Sequence, residues 1–210
     1  AAGPHSTIVN GLAGVLGDMT VTTRPLRQQV THVRVLDGAG IDVDGHPATA
    51  DLDSGMYFRS DHEALLVGGV EAECDPLVWL DDPDDVDLEL SADEWEAQAF
   101  RMARRIPSLG VPHDRRGVVG VYDVASDWTP VYDRTDLPGY YVAMGTSGNQ
   151  FKNAPLAGKF MMAIVDAVEA GHDHDHEPVR FVGERTGRAI DLGAFSRKRT
   201  PASTSGTVMG

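Results

Sequence analysis

The stretch YYVAMGTSGNQFK, residues 140–152, combines a short apolar strand with a glycine-rich turn, and it leads into an apolar segment that predicts a helix over residues 154–170. A strand, a glycine turn and a helix N-terminus direct backbone N–H groups towards one place and favour a negative charge there. Residues 145–152, which we call the glycine turn, end at Lys152, whose ammonium group adds a positive charge. The stretch predicts an anion site; the alternative is a turn that only packs the helix on its sheet.

Two further helices and four further strands can be predicted around this stretch. Residues 5–16 show apolar residues at helical spacing. Ser91 and Glu94 form a capping box, and the helical pattern after them ends at Pro107. Together these elements favour an α+β fold with a mixed, largely antiparallel sheet. The predicted strands are residues 24–36, 56–59, 64–70 and 117–124, of which the second and third form a hairpin.

The remaining segments carry weaker signals. Asp133 lies among the turn residues between 127 and 139, and the helix over 154–170 is apolar nearly all round, which predicts that it is buried. The tract HDHDHE at 172–177 predicts a solvated loop, although alternating His and Asp can also bind a metal ion. Residues 181–210 are expected to form a tail whose Ser- and Thr-rich last ten residues fray.

The composition argues against several classes of function. A net charge of -14 disfavours nucleic acid, and no apolar run reaches the roughly 20 residues of a membrane span. The lone Cys74 excludes an internal disulfide and a thiolate metal site, so we expect no metal and a reducing, cytoplasmic setting. Few lysines beside many carboxylates suggest a halophilic source; an ordinary acidic protein with one solvated acidic loop is the alternative.

Four stretches, taken in order, carry a resemblance to known enzymes. They are AAGPHS at 1–6; RPLRQQ at 24–29; MYFR at 56–59 with LLVGG at 65–69; and GVYD at 120–123 with TP at 129–130 and GTSGNQFKNAP at 145–155. They resemble the D-amino-acid oxidase (DAO) superfamily of FAD-dependent oxidoreductases, which includes sarcosine, glycine and dimethylglycine oxidoreductases. The resemblance covers nearly the whole chain.

The resemblance implies a domain division, a cofactor and a reaction. Residues 1–24 and 126–210 would belong to an FAD-binding domain, and residues 25–125 to a substrate-binding domain. The family transfers a hydride from a C–H group next to nitrogen onto flavin N5, and so oxidises small amines or amino acids. By this resemblance the chain is part of an FAD-dependent amine or amino-acid oxidoreductase, a flavoprotein.

Roles for single residues follow from the same resemblance. Lys152 matches a lysine that binds the substrate carboxylate, and Tyr57 or Phe58 would form a wall of the substrate pocket. The positions expected to contact the cofactor, mostly through their backbone, are Gly3, Gly120, Gly145, Ser147, Gly148, Asn149, Gln150, Phe151 and Lys152.

Some family features are replaced or missing. Asn149 stands where the family usually has His. Gly120 and Leu66 stand where some sarcosine oxidases have the Cys that binds flavin covalently and the Lys that promotes reaction with oxygen, which implies noncovalent FAD and favours a dehydrogenase. No G-x-G-x-x-G motif is found for the FAD pyrophosphate, so we expect a C-terminal portion that lacks an N-terminal nucleotide-binding segment or subunit. A non-catalytic fragment without FAD and a 2-hydroxy-acid dehydrogenase of the same superfamily remain alternatives.

Overall fold

The fold is known from a computed structural model, which describes residues 2–36, 38–43, 45–203 and 207–208. The chain divides into two compact units. Unit 1 consists of Ala1–Leu26, Leu80–Pro83 and Tyr122–Gly210, and unit 2 of Arg27–Trp79 and Asp84–Val121. That these units correspond to an FAD-binding and a substrate-binding domain stays a prediction.

Helices and antiparallel strands occur in both units, which confirms the α+β prediction. The α-helices are α1 (Ser6–Leu12), α2 (Ala92–Arg105) and α3 (Ala154–Glu169). The strands are β1 (Thr23–Arg34), β2 (Thr49–Asp51), β3 (Met56–Asp61), β4 (Ala64–Gly69), β5 (Val78–Trp79), β6 (Gly117–Ala125), β7 (Val131–Arg134), β8 (Tyr141–Met144), β9 (Arg180–Val182) and β10 (Ala189–Asp191). Within the described residues, no helix is long and apolar enough to cross a membrane.

Unit 2 is organised around one sheet. The strand order is β2-β3-β4-β1-β5, and β6 also pairs with β1; β1 and β6 each contribute residues to both units. The pairs β1–β4, β2–β3 and β3–β4 are antiparallel. The predicted hairpin of β3 and β4 is confirmed: Asp61 lies opposite Ala64, and His62 and Glu63 form the turn between them.

Helix α2 covers one face of this sheet. The Ser91 hydroxyl accepts a hydrogen bond from the Glu94 N–H at 3.4 Å, which confirms the predicted cap. Met102 packs into a buried cluster with residues of β1, β3 and β4, which are Val33, Met56, Phe58, Leu65 and Val67. Gln98 ties the helix to the sheet, since it accepts from the Thr31 N–H at 3.1 Å and donates to the Gln29 carbonyl at 2.9 Å.

Unit 1 contains the β7–β8 hairpin, whose two faces lie in different cores. Because side chains alternate along a strand, Val131, Val142 and Met144 pack with Val15, Met19, Val21 and Ala125. Tyr132 on the opposite face packs against Phe160 and Ile164 of α3. The prediction that Asp133 lies in a turn is wrong: it belongs to β7 and is fully buried, because Arg197 neutralises its charge.

Both helices of unit 1 differ from their predictions. Helix α1 is shorter than residues 5–16, because Gly14 takes a left-handed φ of 72°. Its buried residues are polar, and Leu12 is 85% exposed. Helix α3 buries Phe160 and Ile164, whereas Met162 is 65% exposed, so the prediction of a helix buried all round is wrong. Apolar composition on every side does not ensure that every side is covered.

The C-terminal segment is ordered structure, and the prediction of a tail from residue 181 is wrong. Strands β9 and β10 form an antiparallel pair, and a 3-10 turn at Leu192–Phe195 follows them. Beyond it Arg197 is fully buried. Residues 204–206 and 209–210, where fraying was also expected, lie outside the described residues.

Arg197 is buried because four carboxylates surround it. Its guanidinium donates to Asp18, Asp133, Asp136 and Asp175. The neighbouring tract at 172–177 is a loop, as predicted, and Asp173, His176 and Glu177 are exposed. His174 is the exception, because it is buried and its Nδ1 accepts from the Val179 N–H at 2.9 Å. The network fastens the C-terminal segment to β7 and to the chain before β1.

The Arg197 network predicts acid sensitivity. Hydrogen bonds from Arg197 lower the pKa of Asp175 from 3.8 to about 2. Because the folded state lowers this pKa, the contribution of Asp175 to stability is present above pH about 4 and is lost as the pH falls towards 2. Asp175→Asn should reduce stability at pH 7 and flatten the decrease between pH 5 and pH 2, measured as the urea midpoint.

The control for this prediction is Asp166→Asn. Asp166 is exposed on α3 and has no ion pair within the described residues. Its variant should keep the pH profile of the wild type. An unchanged profile for Asp175→Asn would contradict the role given to the network.

Candidate functional site

The glycine turn, which joins β8 to α3, has an unusual backbone. Gly145, Ser147 and Gly148 have φ values of 70°, 47° and 74°, in the left-handed region. A Cβ atom on Gly145 would lie 2.8 Å from the Ala125 Cβ, and one on Gly148 would lie 2.2 Å from the Tyr122 ring. Both positions therefore require glycine for conformation and for space.

Amide groups of the turn differ in whether the protein supplies an acceptor, and that of Asn149 donates to the Thr146 carbonyl at 3.0 Å. Gly145 donates to the Asp123 Oδ2 and Ser147 to the Asp123 carbonyl, each at 2.8 Å. The amides of Thr146, Gly148 and Gln150 have no acceptor within the described residues. The bonds to Asp123 fix the turn to β6, and the amides without an acceptor are available to a bound ligand.

Ser147 braces the turn from inside. Its side chain is fully buried, accepts from the Ala125 N–H at 3.2 Å and donates to the Gly145 carbonyl at 3.2 Å. The Ser147 hydroxyl is therefore occupied by protein. Its predicted contact with a cofactor stays a prediction.

The other residues predicted for the site lie at the outer surface of the glycine turn. Lys152 is exposed, and its Nζ donates to the Asn149 carbonyl at 2.8 Å, so the ammonium lies against the turn. Phe151 is 97% exposed. Gln150 bonds to the Asn149 side chain and accepts from the Tyr132 hydroxyl at 3.2 Å.

A cleft of about 350 Å³ adjoins the turn. Its lining includes Asn149, Gln150 and Asn153, and most of the other lining residues are apolar. Aromatic residues in the lining are Trp128, Tyr132, Phe160 and Phe195. The turn is therefore accessible on this side, and protein does not enclose it.

Gly3 is connected to the same site. Its φ is 57°, and apart from its chain neighbours no atom of the described residues lies within 4 Å of the position of an added Cβ. The Gly3 carbonyl accepts from the Ser6 hydroxyl at 2.6 Å, and Ser6 also contacts Asp123, which binds the Gly145 amide. Of the predicted residues, the structure thus brings Gly3 and those of the glycine turn together.

Tyr57 and Gly120 belong to unit 2, whereas the glycine turn belongs to unit 1. Tyr57 lies opposite Gly68, and a Cβ on Gly68 would lie 2.4 Å from the Tyr57 Cζ, so the ring crosses the Gly68 backbone. Tyr57 therefore occupies the face of the sheet opposite α2, whereas Phe58 packs in the α2 core. Gly120 is exposed on β6, with open space beside it.

Asp123 was not among the residues predicted for the site. It is 3% exposed, and burial raises its pKa. Its Oδ2 joins the Gly145 amide to Ser6, whereas its Oδ1 has no hydrogen-bond partner within the described chain. The available signal was a single acidic residue in the otherwise uncharged strand β6.

The site suits one edge of a flavin. The electron-rich N1–C2=O edge of an isoalloxazine accepts hydrogen bonds, and the amides of Thr146, Gly148 and Gln150 are donors without a protein acceptor. The Lys152 ammonium adds a positive charge beside them. For a metal ion, no suitable group of His, Cys, Asp or Glu side chains occurs in the described ranges.

Solved structures of oxidases and a dehydrogenase have a similar fold. Glycine oxidase from Geobacillus kaustophilus has a TM-score of 0.64 at 18% identity, over 95% of this chain and 44% of its own. L-proline dehydrogenase from P. horikoshii has a TM-score of 0.62 at 20% identity, over 82% and 42%. Iminodiacetate oxidase from Chelativorans sp. BNC1 has a TM-score of 0.58 at 18% identity, over 88% and 42%. This chain therefore spans less than half the length of each.

Sequence similarity identifies the family. No curated protein sequence matches the chain. The family described as FAD dependent oxidoreductase (DAO) matches residues 1–164 of the 210. The match includes both glycine-containing segments of the site, residues 1–6 and the glycine turn, and the chain belongs to the DAO family of FAD dependent oxidoreductases.

Proposed function

We propose that the glycine turn holds the pyrimidine edge of noncovalent FAD in an enzyme that oxidises a small amine or amino acid. The observation that carries the proposal is the set of amides without a protein acceptor at Thr146, Gly148 and Gln150. These groups are fixed before any ligand arrives, because Asp123 and Ser147 hold the intervening amide bonds. Family membership and the fold of amine-oxidising relatives support the choice of substrate class.

The residues of this chain would bind and orient the flavin and the substrate. FAD, when bound, supplies the group that accepts a hydride from the C–H next to nitrogen. The fixed amides stabilise negative charge at the flavin edge without reorganising during the reaction. The Lys152 ammonium, beside the same edge, adds electrostatic attraction for the flavin or for a substrate carboxylate.

We further propose that the enzyme transfers its electrons to an acceptor other than oxygen. Tyr57, Leu66 and Gly68 lie on the face of the unit 2 sheet opposite α2, and we assign Tyr57 to the wall of the substrate pocket. Leu66 places an uncharged side chain where an oxygen-activating lysine would provide an ammonium group, which favours a dehydrogenase. Gly120 has no side chain that could form a covalent bond to the flavin, which favours noncovalent FAD.

A nucleotide-binding segment or subunit is the partner we propose. The relatives are more than twice as long as the part that matches this chain. Helix α1 leaves Ile8, Val9 and Leu12 exposed, which is apolar surface that such a segment could bury. From composition we further propose a salt-rich, cytoplasmic setting, because carboxylates outnumber basic residues 32 to 18.

Binding of FAD to the glycine turn predicts that one methyl group added at Gly148 weakens this binding. In a titration followed by quenching of flavin fluorescence, the full chain should bind FAD. Gly148→Ala should weaken binding at least tenfold, because the new Cβ meets the Tyr122 ring and the left-handed φ opposes it.

The matched control is Gly158→Ala. Gly158 lies in α3 with open space around it, so the same methyl group should leave FAD binding unchanged. A wild-type chain that leaves flavin fluorescence unchanged would support the non-catalytic alternative and contradict the proposal. Equal affinities for the two glycine variants would contradict the place given to the flavin.

Removal of the Lys152 charge predicts a smaller effect. Lys152→Met should weaken FAD binding by about fivefold at low salt, since an exposed charge contributes up to about 1 kcal/mol. Lys159→Met is the control, because Lys159 is exposed on α3 and pairs with Glu184. The difference should shrink in concentrated salt, where charges are screened. Identical affinities of both variants at low salt would exclude Lys152 from the site.

A further inference from the structure

Burial, and not the set of hydrogen bonds around it, disfavours an ionised carboxylate at Asp123. The carboxyl group is 3% exposed, and no basic side chain pairs with it in the part of the chain that the structure describes. Its polar neighbours are the Gly145 amide and the hydroxyl groups of Ser6 and Thr23. Burial without a basic side chain is costly for a carboxylate and raises the pKa of Asp123, and this cost outweighs the three donors, which lower it.

The proton count at Ser6 gives a second, independent reason. The Ser6 hydroxyl has one proton, and the nearer acceptor is the Gly3 carbonyl at 2.6 Å, which cannot itself donate. The Ser6 Oγ also lies 3.0 Å from the Asp123 Oδ2. If the Ser6 proton is used on Gly3, the proton of the second hydrogen bond has to come from the Asp123 carboxyl.

We propose that Asp123 is the positioning residue of the glycine turn and that it acts as an uncharged carboxylic acid, which donates to Ser6 and accepts from the Gly145 amide. This inference rests on the proposed function, because the turn that Asp123 positions is the one assigned to the flavin edge. Through these two bonds Asp123 connects the Gly3 carbonyl, Ser6 and the turn.

The uncharged form has a consequence for the site. A carboxylate behind Gly145 would oppose the positive potential that the free amides of Thr146 and Gly148 provide for an electron-rich ligand. A neutral acid makes the same geometric connection without that opposing charge. An Asn at this position would also be neutral, but Ser6 and Gly145 both face the same atom, Oδ2, so the amide nitrogen or oxygen placed there could serve only one of them.

Infrared spectroscopy of the full chain tests the protonation state. The difference spectrum of wild type minus Asp123→Asn at pH 7 should contain the C=O stretching band of a protonated carboxyl group. Asp127→Asn is the matched control, because Asp127 is also buried but binds Arg199 through both oxygens, at 2.8 and 2.9 Å. Its variant should retain the band. A difference spectrum without the band would overturn the uncharged acid.

Amide hydrogen exchange tests the positioning role. The Gly145 amide should exchange slowly in the wild type and at least tenfold faster in Asp123→Ala. Ser6→Ala, which leaves the carboxyl group in place, should shift the frequency of the C=O band even if Asp123→Ala does not fold. Equal exchange of Gly145 in a folded Asp123→Ala, or an unshifted band in Ser6→Ala, would overturn the proposal.

Flavin binding separates this inference from the proposed function. Asp123→Ala should bind FAD more weakly than the wild type. If the band and the exchange pattern appear but the wild type binds no FAD, the proposed function fails and the role of Asp123 in the turn is supported. If the wild type binds FAD and the band is missing, the uncharged acid is overturned and the proposed function is supported.

Discussion

The close packing of the glycine turn against β6 determines what the turn can do. Gly145 lies against Ala125 and Gly148 against the Tyr122 ring, at distances that exclude a Cβ atom. Hydrogen bonds from Gly145 and Ser147 to Asp123 use the amides that point into the protein, which leaves alternate amides for a ligand. The donor set is therefore a product of packing, and it exists before any cofactor binds.

Local patterns in the sequence predicted those elements that depend only on residues close together in the chain. The Ser91 N-cap and the hairpin of β3 and β4 are confirmed, because a cap and a two-residue turn involve only neighbouring residues. The reciprocal half of the capping box is wrong, because the Ser91 N–H donates to Gln29 and the Glu94 carboxylate binds Arg27. The order of the C-terminal segment was not predictable in this way. It depends on Arg197, whose partners Asp18 and Asp133 are distant along the chain, and a pattern of neighbours contains no information about them.

The site was predictable to a similar extent. Glycines followed by a lysine before a helix predicted a donor-rich turn, and the structure has one, because glycine is required wherever φ is positive and space is short. Asp123 was missed, since a single acid in a strand does not reveal that it binds the Gly145 amide 22 residues later. The exposed Leu12 and Met162 show the other limit: apolar residues do not specify what covers them.

The central claim is that amides of the glycine turn bind the flavin edge, and residue-resolved amide exchange with and without FAD tests it most directly. Thr146, Gly148 and Gln150 have no protein acceptor among the described residues, so their exchange should become slower when FAD is added. Gly145 and Ser147 already donate to Asp123 and should change little. Bound FAD that leaves the first three amides unprotected would contradict the account.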